Sequence, residues 1–326
     1  MVQKKFNELE RKVHVRNHGL KSRDMQRALF NGIEQLGGSF ATTAAKKSHV
    51  RDFVSYMKKN GIYILNKITQ SDMKSWGESL KQKVESSEIK ASTAQDKISA
   101  INTILSYARR DNKLHIRAVA DINIPKRSYV AKQDKSSTIA DLNALKGNID
   151  DRLFVLTRMQ REFGLRFKES CLIDAKRTLI QAEKHGVINI ERGTKGGRAR
   201  AIHITSDRQI NILKLAAELQ GKDRSMIPSH ISFAQYQNRS YKSIANVSNG
   251  FHQHRHAYSN QRYYDLTGVN SPVKAKVKHG YQHHKYRAAQ LNISLLAAKI
   301  IDKKARLQIA QELGHGRISI TNNYLG

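Results

Sequence analysis

Six side chains in the C-terminal half of the chain have types and spacings suited to opening a phosphodiester without water. They are Arg166, Lys195, His252, Arg255, His315 and Tyr324. The first five lie in short stretches reading GLRFKE (164–169), GTKGG (193–197), HQHRH (252–256) and LGH (313–315), with the tyrosine following. A nucleophile that attacks phosphorus and keeps the phosphate on the protein conserves the bond energy for religation. The pentacoordinate phosphorane carries extra negative charge, which suits permanently charged, two-pronged donors such as arginines. The departing 5′ oxygen needs a proton, which a lysine on a hairpin turn can supply, and a histidine can help tyrosine lose its own.

Taken singly, each residue has an ordinary reading. Arg166 would be a surface ion-pair arginine, Lys195 a solvated charge beside Arg192, Arg198 and Arg200, and His252 a satisfied core histidine. Tyr324 is one of 12 tyrosines, and aromatic residues near a chain end often only pack. The weight lies in their conjunction and order.

That conjunction resembles the tyrosine recombinase family, which includes phage and mobile-element integrases and chromosome-dimer resolvases. Arg166 with Glu169 matches the family's GLRxxE-like motif, Lys195 its hairpin lysine, and His252 with Arg255 its HxxR box. The LGH motif precedes the nucleophile by nine residues from the histidine, and here 324 − 315 = 9. The gap from Arg255 to Leu313 is 313 − 255 = 58 residues, longer than usual for the family, so 268–300 looks like an insertion. The chain ends two residues after Tyr324, so its protomers are expected to couple without the family's C-terminal tail exchange.

The resemblance implies a definite order of events. Arg166, Arg255 and His315 hold the phosphate while Tyr324 attacks, giving a 3′-phosphotyrosine. Lys195 protonates the 5′ hydroxyl, and His252 assists proton transfer. A partner duplex then reverses the step through a Holliday junction. The implied partners are double-stranded DNA attachment sites and a homotetramer on two duplexes, with room for accessory DNA-bending proteins. No metal, nucleotide or other cofactor is called for. Two rivals stay open: a type IB topoisomerase, which shares the chemistry but works as a monomer, and a non-catalytic DNA-binding derivative of an integrase.

The surrounding sequence must build elements that hold these residues. At 326 residues the chain has room for two domains, each with its own core. Its 58 Lys+Arg against 27 Asp+Glu give +31, which makes a polyanion, nucleic acid or an anionic membrane surface, the natural partner. No run of about 18 apolar residues exists to span a membrane. The N-terminus has no apolar core for a signal peptide, and a single cysteine, Cys171, fits a reducing compartment, so the expected location is the cytoplasm, on the nucleoid. Cys171 itself reads as a small buried hydrophobe.

The expected fold class is mainly α with a small antiparallel β-sheet. Residues 1–38 form a basic segment with a helix over about 22–36, stopped by Gly37-Gly38. Residues 39–133 read as a helical core-binding domain with its linker (121–137 is polar and holds Pro125), and 134–326 as the catalytic domain, the two closing as a C-shaped clamp. Val50, Phe53, Val54 and Met57 trace one buried helical face. Thr69 with Asp72, and Ser92 with Gln95, read as capping boxes ahead of Met73, Trp76 and Leu80 and of Ile98, Ile101 and Leu105. β-Branched runs near 177–181, 187–190 and 200–204 suggest strands, the last two joined as a Gly-rich hairpin. Ser206 is placed as the cap of a helix over 207–220 with Ile212, Leu215 and Leu219 inward. The His-rich stretch 268–290 has no assignment. His252/His256 and His279/His283 have helical i, i+4 metal-ligand spacing, but no cysteine cluster and few carboxylates accompany them, so they read as phosphate-contacting or solvated histidines.

Overall fold

A computed structural model of the chain describes residues 11–248 and 250–326. The first ten residues of the basic N-terminal segment, with most of the stretch read for a signal peptide, lie outside the described residues. The chain divides into two compact units that meet between Arg127 and Ser128.

The first unit is helical: α1 (Met25–Leu36), α2 (Phe40–Lys59), α3 (Gln70–Glu85) and α4 (Ala91–Arg109). Asp24 caps α1 by accepting from the Arg27 N–H at 2.8 Å, and Gly37 ends it with φ at +71°. Val50, Phe53, Val54 and Met57 face the core, as their spacing requires, and Phe53 meets Trp76 edge to face at 4.9 Å. The Thr69/Asp72 capping box closes in both directions. The expected Ser92 box does not form, because α4 opens two residues earlier, after Lys90, with no side-chain cap. Its stripe of Ile98, Ile101 and Leu105 is nevertheless buried. Ile122 and Ile124, at the start of the polar 121–137 segment, are fully buried in this same core.

The second unit contains α5 (Ile139–Leu145), α6 (Asp151–Phe163), α7 (Phe167–Leu172) and α8 (Ala175–His185), then β1 (Val187–Ile190) and β2 (Arg200–His203). It continues with α9 (Asp207–Gln220), α10 (Phe233–Ile244), α11 (His252–Thr267), α12 (Pro272–Ala275), α13 (Tyr281–Leu291), α14 (Leu295–Glu312) and α15 (Asn322–Leu325). β1 and β2 pair antiparallel, Val187 opposite His203 and Ile190 opposite Arg200. The fold is thus mainly α with a small antiparallel sheet among the described residues. Cys171 is buried in the unit's main core, and burial raises its thiol pKa.

Two expectations, for 177–181 and for 207–220, need correction here. Residues 177–181 are not a strand but the middle of α8, where Asp174 caps the helix and the period-3.6 burial of Ala175, Thr178 and Ala182 overrides β-branched propensity. The buried face of α9 is Gln209, Ile212, Leu213, Ala216 and Gln220, leaving Leu215 exposed; Ser206 precedes the helix without a side-chain bond to it. The unassigned 268–290 stretch holds α12 and α13.

Candidate active site

α11 is the spine of the site. Its first turns carry His252, Arg255 and His256, and it packs against α6, α14 and α15. Arg255 is fully buried, and its guanidinium ties four segments together. It donates to the Gly164 carbonyl, to the Leu313 carbonyl at 2.5 Å and, through Nε, to the Tyr324 hydroxyl at 3.3 Å. Gly164 is needed where it stands: its φ is +61°, and a Cβ there would lie 2.5 Å from the Tyr258 ring.

His315 Nε2 lies 3.5 Å from Arg255 Nη2. Arginine only donates, so this nitrogen accepts and the ring's proton sits on Nδ1. Burial, then the charges of Arg255, Arg166 and Arg200, lower the His315 pKa to about 3, so the ring is neutral at physiological pH. Burial also lowers the Arg255 pKa to about 10, at which the guanidinium stays charged.

Arg166 stands just before α7. Its backbone N–H and its Nη1 both donate to the Glu169 carboxylate at 2.7 Å. Glu169 also accepts two bonds from Arg200, at 3.0 and 2.7 Å, and lies 3.8 Å from Arg255. Burial acts to raise the pKa of this fully enclosed carboxyl; Arg200, Arg166 and Arg255 together outweigh it and hold the group below the usual carboxylate range.

Tyr324, in α15, is 6% exposed and has three histidine rings around it: His256 at 4.8 Å, His252 at 5.6 Å and His315 at 5.6 Å between centroids. His252 remains open to solvent at the rim. Enclosure on its inner side, then Arg255, Arg166 and Lys135, lowers its pKa, the first effect tempered by that exposure.

Five of the six sequence-predicted residues therefore converge: Arg166, His252, Arg255, His315 and Tyr324. Lys195 does not join them. It is exposed in the 3-10 turn Lys195–Gly197 between β1 and β2, with no hydrogen bond or ion pair among the described residues.

Two neighbours escaped the sequence reading. His256 is the nearest ring to Tyr324; its i+4 spacing from His252 showed the shared helix face but not what that face meets. Arg200 had been grouped with the basic turn, yet it is buried, paired with Glu169, and donates to the Glu312 carbonyl at 2.6 Å. Its place opposite Ile190 on an inward strand position was the available signal. Among the described residues no group of three or more His, Cys, Asp or Glu side chains is arranged to hold a metal, and no helix is long and apolar enough to cross a membrane.

The integrase family model matches residues 125–261. No curated protein sequence matches the chain. Among solved structures, a lambda integrase dimer bound to a COC′ core site superposes with a TM-score of 0.57 at 14% identity, covering 96% of this chain and 77% of that one. The Tn1549 transposon integrase in complex with a circular intermediate DNA gives 0.56 at 12% identity, covering 94% and 95%. XerH site-specific recombinase bound to palindromic difH substrate, in a post-cleavage complex, gives 0.56 at 14% identity, covering 92% and 80%. Identities this low establish the fold, while the family match rests on the sequence of 125–261. The chain thus matches the integrase family model over 125–261 and has the fold of these DNA-bound integrases and site-specific recombinase.

Proposed function

We propose that the second unit cleaves one strand of a DNA attachment site by attack of the Tyr324 hydroxyl on the scissile phosphorus. A phosphorus–oxygen bond forms to tyrosine as the bond to the 5′ oxygen breaks, leaving a 3′-phosphotyrosine. Arg166, Arg255 and His315 hold the phosphate oxygens and offset the charge that develops on them. Neutral His252 takes part in moving the phenol's proton. Lys195, on its exposed hairpin turn, supplies the proton to the departing 5′ oxygen once DNA brings the turn and the phosphate together.

The 5′ hydroxyl of a partner duplex then attacks the phosphotyrosine, passing through a Holliday junction, with four protomers on two duplexes. The helical first unit adds grip on the backbone as a core-binding domain. Integration or excision of a mobile element, with help from DNA-bending proteins and on the nucleoid in the cytoplasm, is the setting this activity fits. The observation that carries the reading is the hydrogen bond from Arg255 to the Tyr324 hydroxyl, with three histidine rings around the same phenol.

The direct test mixes the protein with a nicked duplex carrying the junction sequence of the element next to its gene. Wild type should leave a detergent-resistant protein–DNA adduct, and Tyr324→Phe should bind equally well and leave none. An adduct that survives in Tyr324→Phe would remove the nucleophile from this site.

A further inference from the structure

The basic, His-rich stretch over 268–290 is unused by the chemistry above, yet it is built around buried charge. α14 carries Asp302 and Arg306 one turn apart, both facing inward and 8% and 4% exposed. Asp302 accepts from both sides: Arg306 Nε at 3.1 Å, Tyr263 of α11 at 2.6 Å, and Arg287 of α13 at 2.8 Å. Arg287 is fully buried, touches the Tyr263 hydroxyl, and donates to the Ala298 carbonyl at 2.7 Å and to His283 Nδ1 at 2.9 Å. The other nitrogen of His283 donates to the Asn270 carbonyl at 2.9 Å. α11, α13 and α14 are thereby locked around one carboxylate.

The far side of Arg306 points to the tyrosine. Its Nη1 donates to the Asn322 side chain at 2.9 Å and lies 3.4 Å from the Thr321 hydroxyl, and its Nη2 donates to the Gly326 carbonyl at 3.0 Å. These acceptors bracket Tyr324 on both sides along the chain. α15 is only four residues long, far too short to hold its own shape, so its placement depends on what it docks against. A buried guanidinium is costly unless its donors are used, and here all three nitrogens of Arg306 are directed at acceptors. α12 packs beside α15 and completes the bed.

We propose that Arg306, seated on Asp302 and backed by α12 and α13, is a positioning residue that holds the Tyr324-bearing segment in its own protomer, at attacking distance from a phosphate bound by that protomer. The proposal rests on Tyr324 being the nucleophile. It gives the long stretch between Arg255 and the LGH motif a purpose: it is the bed on which the nucleophile's short helix lies. A displacement of about 1 Å of a reacting group can cost about 10²-fold in rate, so the bed acts on the chemical step and not on DNA affinity.

The experiment compares wild type, Arg306→Met, Arg306→Lys, Asn322→Ala and Tyr324→Phe on the same nicked junction duplex. Three quantities are read: the rate of adduct formation at saturating protein, the Kd for DNA, and amide hydrogen exchange along the chain. Arg306→Met should cleave about 10²-fold more slowly at saturation, Asn322→Ala about tenfold, and Arg306→Lys between wild type and Arg306→Met, all with unchanged Kd. Faster exchange should be confined to residues 318–326. Asn322→Ala leaves the Asp302 network whole, so it decides the matter even if Arg306→Met fails to fold. Wild-type cleavage rates in Asn322→Ala, or faster exchange throughout α11 and α14 in that variant, would overturn the proposal. An adduct in Tyr324→Phe would instead overturn the nucleophile assignment; its absence, with Asn322→Ala at the wild-type rate, would sink the positioning role alone.

Discussion

Arg255 Nε donates to the Tyr324 hydroxyl at 3.3 Å from a guanidinium that is itself anchored on the Gly164 and Leu313 carbonyls. The same side chain therefore bonds the Tyr324 hydroxyl and the backbone at Gly164 and Leu313. A phosphate entering the site would meet a cation already directed at the Tyr324 hydroxyl, preorganised before DNA arrives.

This arrangement predicts that charge alone will not do. Lysine keeps the charge but loses the planar fork, so Arg166→Lys and Arg255→Lys should slow adduct formation by about 10²–10³ at saturating protein, while DNA affinity barely moves. Arg109, which pairs locally with Asp111 in the first unit, provides the control. Rates for the two site variants equal to that of Arg109→Lys would make both arginines ordinary basic surface.

Salt should act on binding in the opposite way to these variants. A chain at +31 gripping a duplex through many phosphates releases counterions. Its affinity should fall by about 10³–10⁵ between 50 and 200 mM salt if about 6–10 phosphates are contacted. Titrations by fluorescence anisotropy across that range give the slope, and a slope near zero would exclude a phosphate grip.

Removing Glu169 should cost folding stability as well as activity. Its carboxylate serves Arg166 and Arg200 directly and faces Arg255, so Glu169→Ala leaves guanidiniums buried without their counter-charge. A loss of about 3–5 kcal/mol in urea unfolding is expected. Arg200→Met in the Glu169→Ala background should recover part of it, because one of the stranded charges is then gone. Strict additivity of the two losses would contradict the shared-carboxylate account.

Stability should also fall on mild acidification. His254, His256 and His283 are almost wholly buried, and burial first of all lowers each pKa to about 4. The unfolded chain titrates these groups near 6.5. Below that value the unfolded state takes up protons that the folded state refuses, so stability declines as pH drops from about 6.5 to about 4 and is unaffected by these groups above it. Each contributes about 1.4 kcal/mol per pH unit within the window. Urea midpoints at pH 7.5 and 5.5 measure the effect, and His283→Asn should flatten it. A midpoint that rises on acidification would refute it.

Much of this molecule was determined locally and could be read along the chain. The face of α2 traced by Val50, Phe53, Val54 and Met57, the Thr69 capping box, the glycine stop after α1 and the β1–β2 hairpin each depend on residues within a few positions of one another. Such signals are set by helix and strand periods and by backbone groups that need nearby partners. The order of Arg166, His252, Arg255, His315 and Tyr324 was legible for a related reason: they sit in compact motifs, and the nine residues from His315 to Tyr324 are a sequence distance. Where local signals conflicted, packing chose. Thr178 and Ile180 are β-branched, yet the inward face of Ala175, Thr178 and Ala182 made 177–181 helix. Other relationships joined residues from distant parts of the chain. Arg200 meets Glu169 and His256 lies against Tyr324; Asp302 holds both Tyr263 and Arg287. Sequence periodicity shows which side chains share a face of one element, but not which face of another element comes to meet it. Burial settles that, because a charged group removed from water must find its partner wherever the packed elements bring one.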